Sequence, residues 1–206
     1  NVSGVIDYSD ISDEFSKKLI DTGLNRYAEG NFIQAIPAFE AAGFLDNIPL
    51  VVRRVLFYCY MFYGKYEEAL LVAEAILRER PHESISYEQA GMAGLWLGRI
   101  PYAIDNFKKA LEFKEYSPKV YFFLGIAYER AGDIVNRDKN FKQAEIEYGE
   151  IINKNPFDFE ANYELSELYL YWEKNLENVE KLIEASKLGL NQFEEVAISA
   201  LYSEYY

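Results

Sequence analysis

One pattern of apolar and small residues repeats along the chain at an interval of 34 residues. Within the stretch 84–119, apolar residues recur at helical spacing on both sides of Gly98, which predicts two helices joined by a turn. Three further glycines continue this interval, at Gly30, Gly64 and Gly132. The same interval separates other small and aromatic residues: Gly23, Gly91 and Gly125; Ala35, Ala69 and Ala103; Phe39 and Phe107. Self-similarity of this kind is typical of a solenoid of helix pairs.

The pattern also predicts where the elements begin. Ser12 is a suitable N-cap for a first helix, with Asp13 and Glu14 in its first turn, and residues 1–11 are expected to be a flexible lead-in. Residues 12–206 are then predicted to form one solenoid, with repeats at about 16–49, 50–83, 84–117, 118–158 and 159–192. A terminal helix at 193–206 either caps the stack, which we favour because it would cover apolar surface, or opens an incomplete sixth repeat.

The fourth repeat departs from the pattern in its second helix. Arg137 stands where the other repeats have alanine, and Ala144 follows seven residues later. Seven residues make almost two helical turns, so an insertion of this length keeps the same face inward. We therefore predict a seven-residue insertion at 137–143 that lengthens the helix, the alternative being a polar loop over 136–140. In the fifth repeat, the turn at 172–175 lacks the glycine.

Taken together, these residues resemble the tetratricopeptide-repeat family over about nine tenths of the chain. The resemblance implies an all-α fold, a right-handed superhelical solenoid of tandem antiparallel helix pairs. In that family the first helix of each pair lines a concave groove that binds partners. The positions matched to this groove that we select as candidate contacts are Tyr27, Arg54, Tyr58, Phe62, Met92, Trp96, Phe122 and Tyr163.

Some members of the family grip an acidic C-terminus with Lys, Asn and Arg residues in the groove. The matching positions here hold Tyr58, Arg54, Leu24 and Ile20. The resemblance therefore does not extend to that clamp, and what remains is an aromatic and aliphatic groove with a few charges at its margins.

The candidates for catalysis or metal binding are few. The chain has one histidine, His82, predicted in a turn, and one cysteine, Cys59, predicted within a first helix, so a catalytic pair at one cleft is not expected. The same two residues are too few for a nitrogen–sulfur metal site, and a single cysteine leaves the redox compartment open. Carboxylates are abundant on the predicted helices, where they are ordinarily solvated. We expect neither enzymatic activity, a metal nor a cofactor.

The net charge of −13 makes nucleic acid a poor partner, because phosphates require Lys and Arg. Of this charge, −8 falls in residues 150–206, which hold 12 acids and 4 bases, so that part of the chain would favour a basic partner. The alternative is a solvated acidic surface that serves solubility. No apolar run reaches the ~18–20 residues needed for a membrane span, so membrane insertion is not expected.

The sequence does not determine the cellular compartment of the protein. Because the chain begins at Asn1 without Met or a signal peptide, we expect it to derive from a longer or processed protein. The sequence is thus compatible with a cytoplasmic protein or, if a signal segment has been removed, with a periplasmic one.

Two functions fit these expectations. The first is a non-enzymatic scaffold or adaptor that binds an apolar helix or an extended peptide of a partner protein in the groove. The second is a carrier that holds a hydrophobic small molecule or lipid there. A lipid that co-purifies with the protein would distinguish the second from the first.

Overall fold

A computed structural model of the protein describes residues 11, 13–43, 48–114, 117–173 and 176–186. Contacts divide the chain into two compact units, Asn1–Asn106 and Phe107–Tyr206. Throughout the described residues the regular structure is helical, and no strand occurs among them. The helices are α1 (Glu14–Ala28), α2 (Phe32–Gly43), α3 (Leu50–Phe62), α4 (Tyr66–Glu79), α5 (Ser84–Trp96), α6 (Ile100–Phe113), α7 (Pro118–Arg130), α8 (Ile134–Lys154), α9 (Phe159–Trp172) and α10 (Leu176–Ser186).

Consecutive helices pack on one another in each unit. In the first unit α1 contacts α2, and the series continues through α3 and α4 to α5. In the second, α7 contacts α8, α8 contacts α9, and α9 contacts α10. This arrangement confirms the predicted all-α fold of sequential helix pairs. The predicted terminal helix at 193–206 and the lead-in before residue 11 lie outside the described residues.

The start of α1 differs from the prediction by one residue. Its N-cap is Asp13, whose carboxylate accepts the backbone N–H groups of Phe15 at 3.2 Å and Ser16 at 2.9 Å. A hydrogen bond from the Ser16 hydroxyl, together with these two backbone hydrogen bonds, holds the pKa of Asp13 below its usual value. Ser12, the predicted cap, lies outside the described residues.

The periodic glycines close the first helices, as predicted. All four have φ angles in the left-handed region, where a Cβ atom would be strained: 75° at Gly30, 74° at Gly64, 73° at Gly98 and 78° at Gly132. The residue after each glycine donates its N–H to the carbonyl five residues earlier, as Lys65 does to Tyr60 at 2.9 Å. These bonds satisfy a carbonyl at the helix end that would otherwise lack a partner.

The fifth pair reaches the same conformation without glycine. Glu173 ends α9 with φ 50° and ψ 40°, and it follows Gly132 by 41 residues rather than 34. We expect Glu173→Gly to raise the free energy of unfolding by about 0.5–1 kcal/mol, because glycine adopts this region without the steric cost that a Cβ imposes. Urea unfolding checks the value. Glu29→Gly is the matched control. Glu29 ends α1 with φ −84°, outside the left-handed region, so the same change there should not raise the free energy of unfolding.

The seven additional residues lie at the end of α8. The second helices begin at Phe32, Tyr66, Ile100 and Ile134, each 34 residues after the last, so nothing is inserted before α8. A Cβ placed on Gly125 would lie 2.3 Å from the Phe141 ring, and one on Gly23 would lie 2.5 Å from the Phe39 ring, 16 residues onward in both cases. Yet α8 has 21 residues, whereas α4 and α6 have 14.

The added length is therefore helical, as predicted, and residues 136–140 do not form a loop. Its predicted placement at 137–143 is wrong, because Phe141 already occupies the position of Phe39. The sequence did not distinguish an insertion at 137–143 from added length at the end of α8. Seven residues make almost two helical turns, so in both cases the same side of the helix faces the core. Arg137 fits at the alanine position since its guanidinium pairs with Glu129 at 3.1 Å and with Asp138 at 2.8 Å.

Tyrosine–carboxylate hydrogen bonds join neighbouring helix pairs within each unit. Tyr60 on α3 donates to Glu40 on α2 at 2.7 Å, and Tyr102 on α6 donates to Glu74 on α4 at 3.2 Å. In the second unit, buried Tyr148 donates to Glu164 at 2.7 Å. Burial raises the pKa of Tyr102 to about 12 and raises those of the other two tyrosines above their usual value, and the nearby carboxylates add to the effect.

These raised pKa values predict alkaline destabilisation. A phenol with a folded pKa above its unfolded value of about 10 contributes stability in full below pH ~10. That contribution is lost as the pH rises from about 10 toward about 12, because unfolding then releases protons. The melting temperature should therefore fall more between pH 9 and pH 11 for the wild type than for Tyr102→Phe, which cannot ionise at that position. Equal falls for the two proteins would contradict this assignment.

Candidate partner-binding surface

The predicted groove residues all lie on first helices of the pairs. In the first unit they are Tyr27 on α1, Arg54, Tyr58 and Phe62 on α3, and Met92 and Trp96 on α5. In the second unit they are Phe122 on α7 and Tyr163 on α9. Their environments differ, and the differences decide which of them can contact a partner.

Aromatic rings of the first unit meet in pairs where the first helices end. Phe62, at the end of α3, lies 4.5 Å from Phe32 at the start of α2, measured between ring centroids. Trp96, at the end of α5, stacks on Tyr66 at the start of α4, with centroids 6.4 Å apart. Both members of the second pair follow those of the first by 34 residues. The same arrangement is thus built twice, each time between consecutive helix pairs.

Tyr27 extends the first ring pair, since its ring lies edge-on to Phe32 at 5.5 Å. We name these five residues, Tyr27, Phe32, Phe62, Tyr66 and Trp96, the aromatic edge. Its most accessible member is Phe62, whose exposed fraction is 68%, and Trp96 follows at 37%. Sequence reasoning missed Phe32 and Tyr66 because it considered only first helices, although the interval of 34 residues could have revealed them.

Two predicted contacts are buried. Met92 has an exposed fraction of 7% and Phe122 one of 6%. The Phe122 ring contacts Phe123, Phe141 and Tyr171 at 5.5–6.0 Å, so it belongs to the core of the second unit. The expectation that these two side chains line an accessible surface is wrong, because first-helix positions also pack against neighbouring helices.

Arg54 and Tyr58 are half-buried and engaged within the first unit. The Arg54 guanidinium forms an ion pair with Glu83, just before α5, and neighbouring Arg53 pairs with Glu79 at the end of α4. The hydrogen bond from Arg53 lowers the pKa of Glu79. The Tyr58 ring stands edge-on to buried Phe57 at 5.1 Å. Both residues border the partly exposed face of α3 rather than forming its most exposed part.

The second unit offers a more acidic surface on α9. Tyr163 is half-buried, stacks on Phe159 with centroids 5.8 Å apart, and donates its hydroxyl to Glu167 at 3.1 Å. Lys119 pairs with Glu164 at 2.9 Å. Burial, followed by repulsion from Glu164, raises the pKa of Glu160. A partner's cation beside Glu160 would therefore stabilise its ionised form.

Among the helices of the described residues, none combines the length and apolarity that crossing a bilayer requires. No family model matches the chain. Two curated proteins show partial similarity: Tetratricopeptide repeat protein 16 of Mus musculus, 25% identical over 99 residues, and its Homo sapiens counterpart, 25% identical over 128 residues. These alignments cover 48% and 62% of this chain but only 13% and 14% of those proteins.

Solved structures match over most of the chain. A thermophilic TPR protein of Thermus thermophilus, TTC0263, superimposes with a TM-score of 0.64 at 16% identity, covering 91% of this chain and 99% of that one. A crystal structure of MamA superimposes with a TM-score of 0.54 at 16% identity, covering 89% and 97%. At such identities the likeness concerns the fold.

Proposed function

The chain has the tetratricopeptide-repeat fold, and from this premise we propose that it is a non-enzymatic interaction scaffold. Its binding surface is the aromatic edge, which lies where α1, α3 and α5 end and α2 and α4 begin, bordered by Arg54 and Tyr58 on α3. The ligand is an apolar helix or an extended peptide of a partner protein. The aromatic edge supplies the contacts that the fold alone does not specify.

The observation that carries the proposal is the exposure of Phe62 together with the repetition of its ring pair at Trp96. An isolated exposed apolar side chain is ordinary on a protein surface. Here, however, exposed rings recur at the same structural position in consecutive pairs. Aromatic residues are enriched in the cores of protein interfaces, and clustered exposed apolar surface marks interaction sites.

The chemistry of the edge favours a peptide segment over a polar ligand. An amphipathic helix of the partner would place its side chains at i, i+3 and i+7 against the rings of the aromatic edge. An extended segment would place alternate side chains against the same rings. The net charge of −13 favours a segment with basic residues. Taken by itself, the second unit carries Glu160 and Glu167 on the same helix as Tyr163, so a segment that contacts α9 should also be basic.

Site-specific photo-cross-linking tests the proposal. Phe62 is replaced by the photo-reactive analogue p-benzoylphenylalanine in the full chain, and cross-linked products are identified by mass spectrometry from cells that express the protein. We expect one partner segment to be captured at position 62. The matched control carries the analogue at Val135, which is 80% exposed on α8, and should not capture it. Equal capture at both positions would contradict a defined surface, and capture of a co-purifying lipid at position 62 would favour a carrier.

A further inference from the structure

Two buried polar side chains on α5 have no hydrogen-bond partner among the protein atoms of the described residues. Ser86 and Gln89 both have an exposed fraction of 0%. Among the described residues, neither the Ser86 Oγ nor the Gln89 Nε2 and Oε1 atoms have a hydrogen-bond partner. The two residues are three positions apart, so they lie on neighbouring turns of one side of the helix. Their neighbours along α5, including Ala90, Ala93 and Leu95, are buried apolar residues.

Such an arrangement is costly if these atoms remain unpaired. Buried polar groups are nearly always hydrogen-bonded, and a stranded donor or acceptor lowers stability by its full desolvation penalty. Apolar residues occupy the matching positions of α3, where Val52 and Val55 stand in place of Ser86 and Gln89. The fold therefore does not require polar side chains at these two places.

We propose that Ser86 and Gln89 together bind a buried water molecule inside the first unit. The hydroxyl and the carboxamide offer both donors and acceptors, and a buried water forms about three hydrogen bonds, so it can satisfy groups of both kinds. A cation fits less well, because the Gln89 Nε2 group donates. An anion fits poorly because the pair carries no charge to offset its burial.

The test compares Ser86→Ala, Gln89→Met and the double variant of the full chain. Methionine preserves the length and volume of glutamine, so it changes polarity with little repacking. Removing one water ligand strands the other, and each single variant should therefore melt about 2–6 °C lower than the wild type. The double variant should lose less than the sum of the two, since both ligands are then gone.

The opposite result would overturn the proposal. If the Gln89 amide forms no hydrogen bond, even to water, Gln89→Met should have a higher melting temperature than the wild type. The changes in melting temperature caused by Gln89→Met and Ser86→Ala should then add in the double variant. A second measurement applies even if a variant does not fold. NMR of the wild-type protein should show a nuclear Overhauser effect between the Gln89 side-chain amide protons and a long-lived water. The absence of this signal would equally overturn the assignment.

Discussion

Replacing Gly125 by Ala should destabilise the protein by about 3 kcal/mol, at the upper end of the range for overpacked cores. The added Cβ would lie 2.3 Å from two carbons of the Phe141 ring, well inside any normal contact distance. Phe141 is fully buried and also contacts Tyr171 and Trp172, so its ring cannot simply move aside. Urea unfolding measures the change.

Gly149→Ala is the matched control for this substitution. Gly149 lies in the same unit, within the added length of α8, and no neighbouring atom of the described residues lies within 4 Å of the position that its Cβ would take. The change should stabilise the protein by about 0.5–1 kcal/mol, because alanine is the better helix former. Adding Phe141→Leu to Gly125→Ala should recover part of the loss. Similar losses at both glycines would show that the helix crossing has been wrongly assigned.

Truncating either Phe62 or Trp96 to Ala should weaken partner binding by about 2 kcal/mol, roughly 30-fold in Kd. Both rings lie on the aromatic edge, where a bound segment would cover them and remove apolar surface from water. Isothermal titration with the segment captured at position 62 measures the change. Val135→Ala, which removes a more exposed side chain elsewhere, should bind with unchanged affinity.

Much of the fold could be predicted because its determinants are local. The glycines at 30, 64, 98 and 132 mark the turns, since only a left-handed residue closes these helices in this way. Glu173 shows the limit of this signal: it adopts the same conformation without being glycine, and only the structure identifies it as the fifth member of the series.

The rest could not be predicted, because the same sequence pattern allows more than one arrangement. The seven added residues of α8 could lie either before or after Ala144, because almost two helical turns leave the apolar side of the helix facing the same way. Met92 lies one turn before Trp96 on the same side of α5, and the sequence does not say which of the two side chains a neighbouring helix covers. Burial on a first helix depends on contacts between elements, which periodicity does not encode.

Paired measurement of stability and affinity for Phe62→Ala tests the central claim most directly. If the aromatic edge is a binding surface, this variant should lose about 30-fold in affinity and change its free energy of unfolding by less than about 1 kcal/mol. Met92→Ala, at a buried position, should instead lose about 2–5 kcal/mol of stability. A Phe62→Ala protein that unfolds as readily as Met92→Ala, or that binds its partner as tightly as the wild type, would contradict the account.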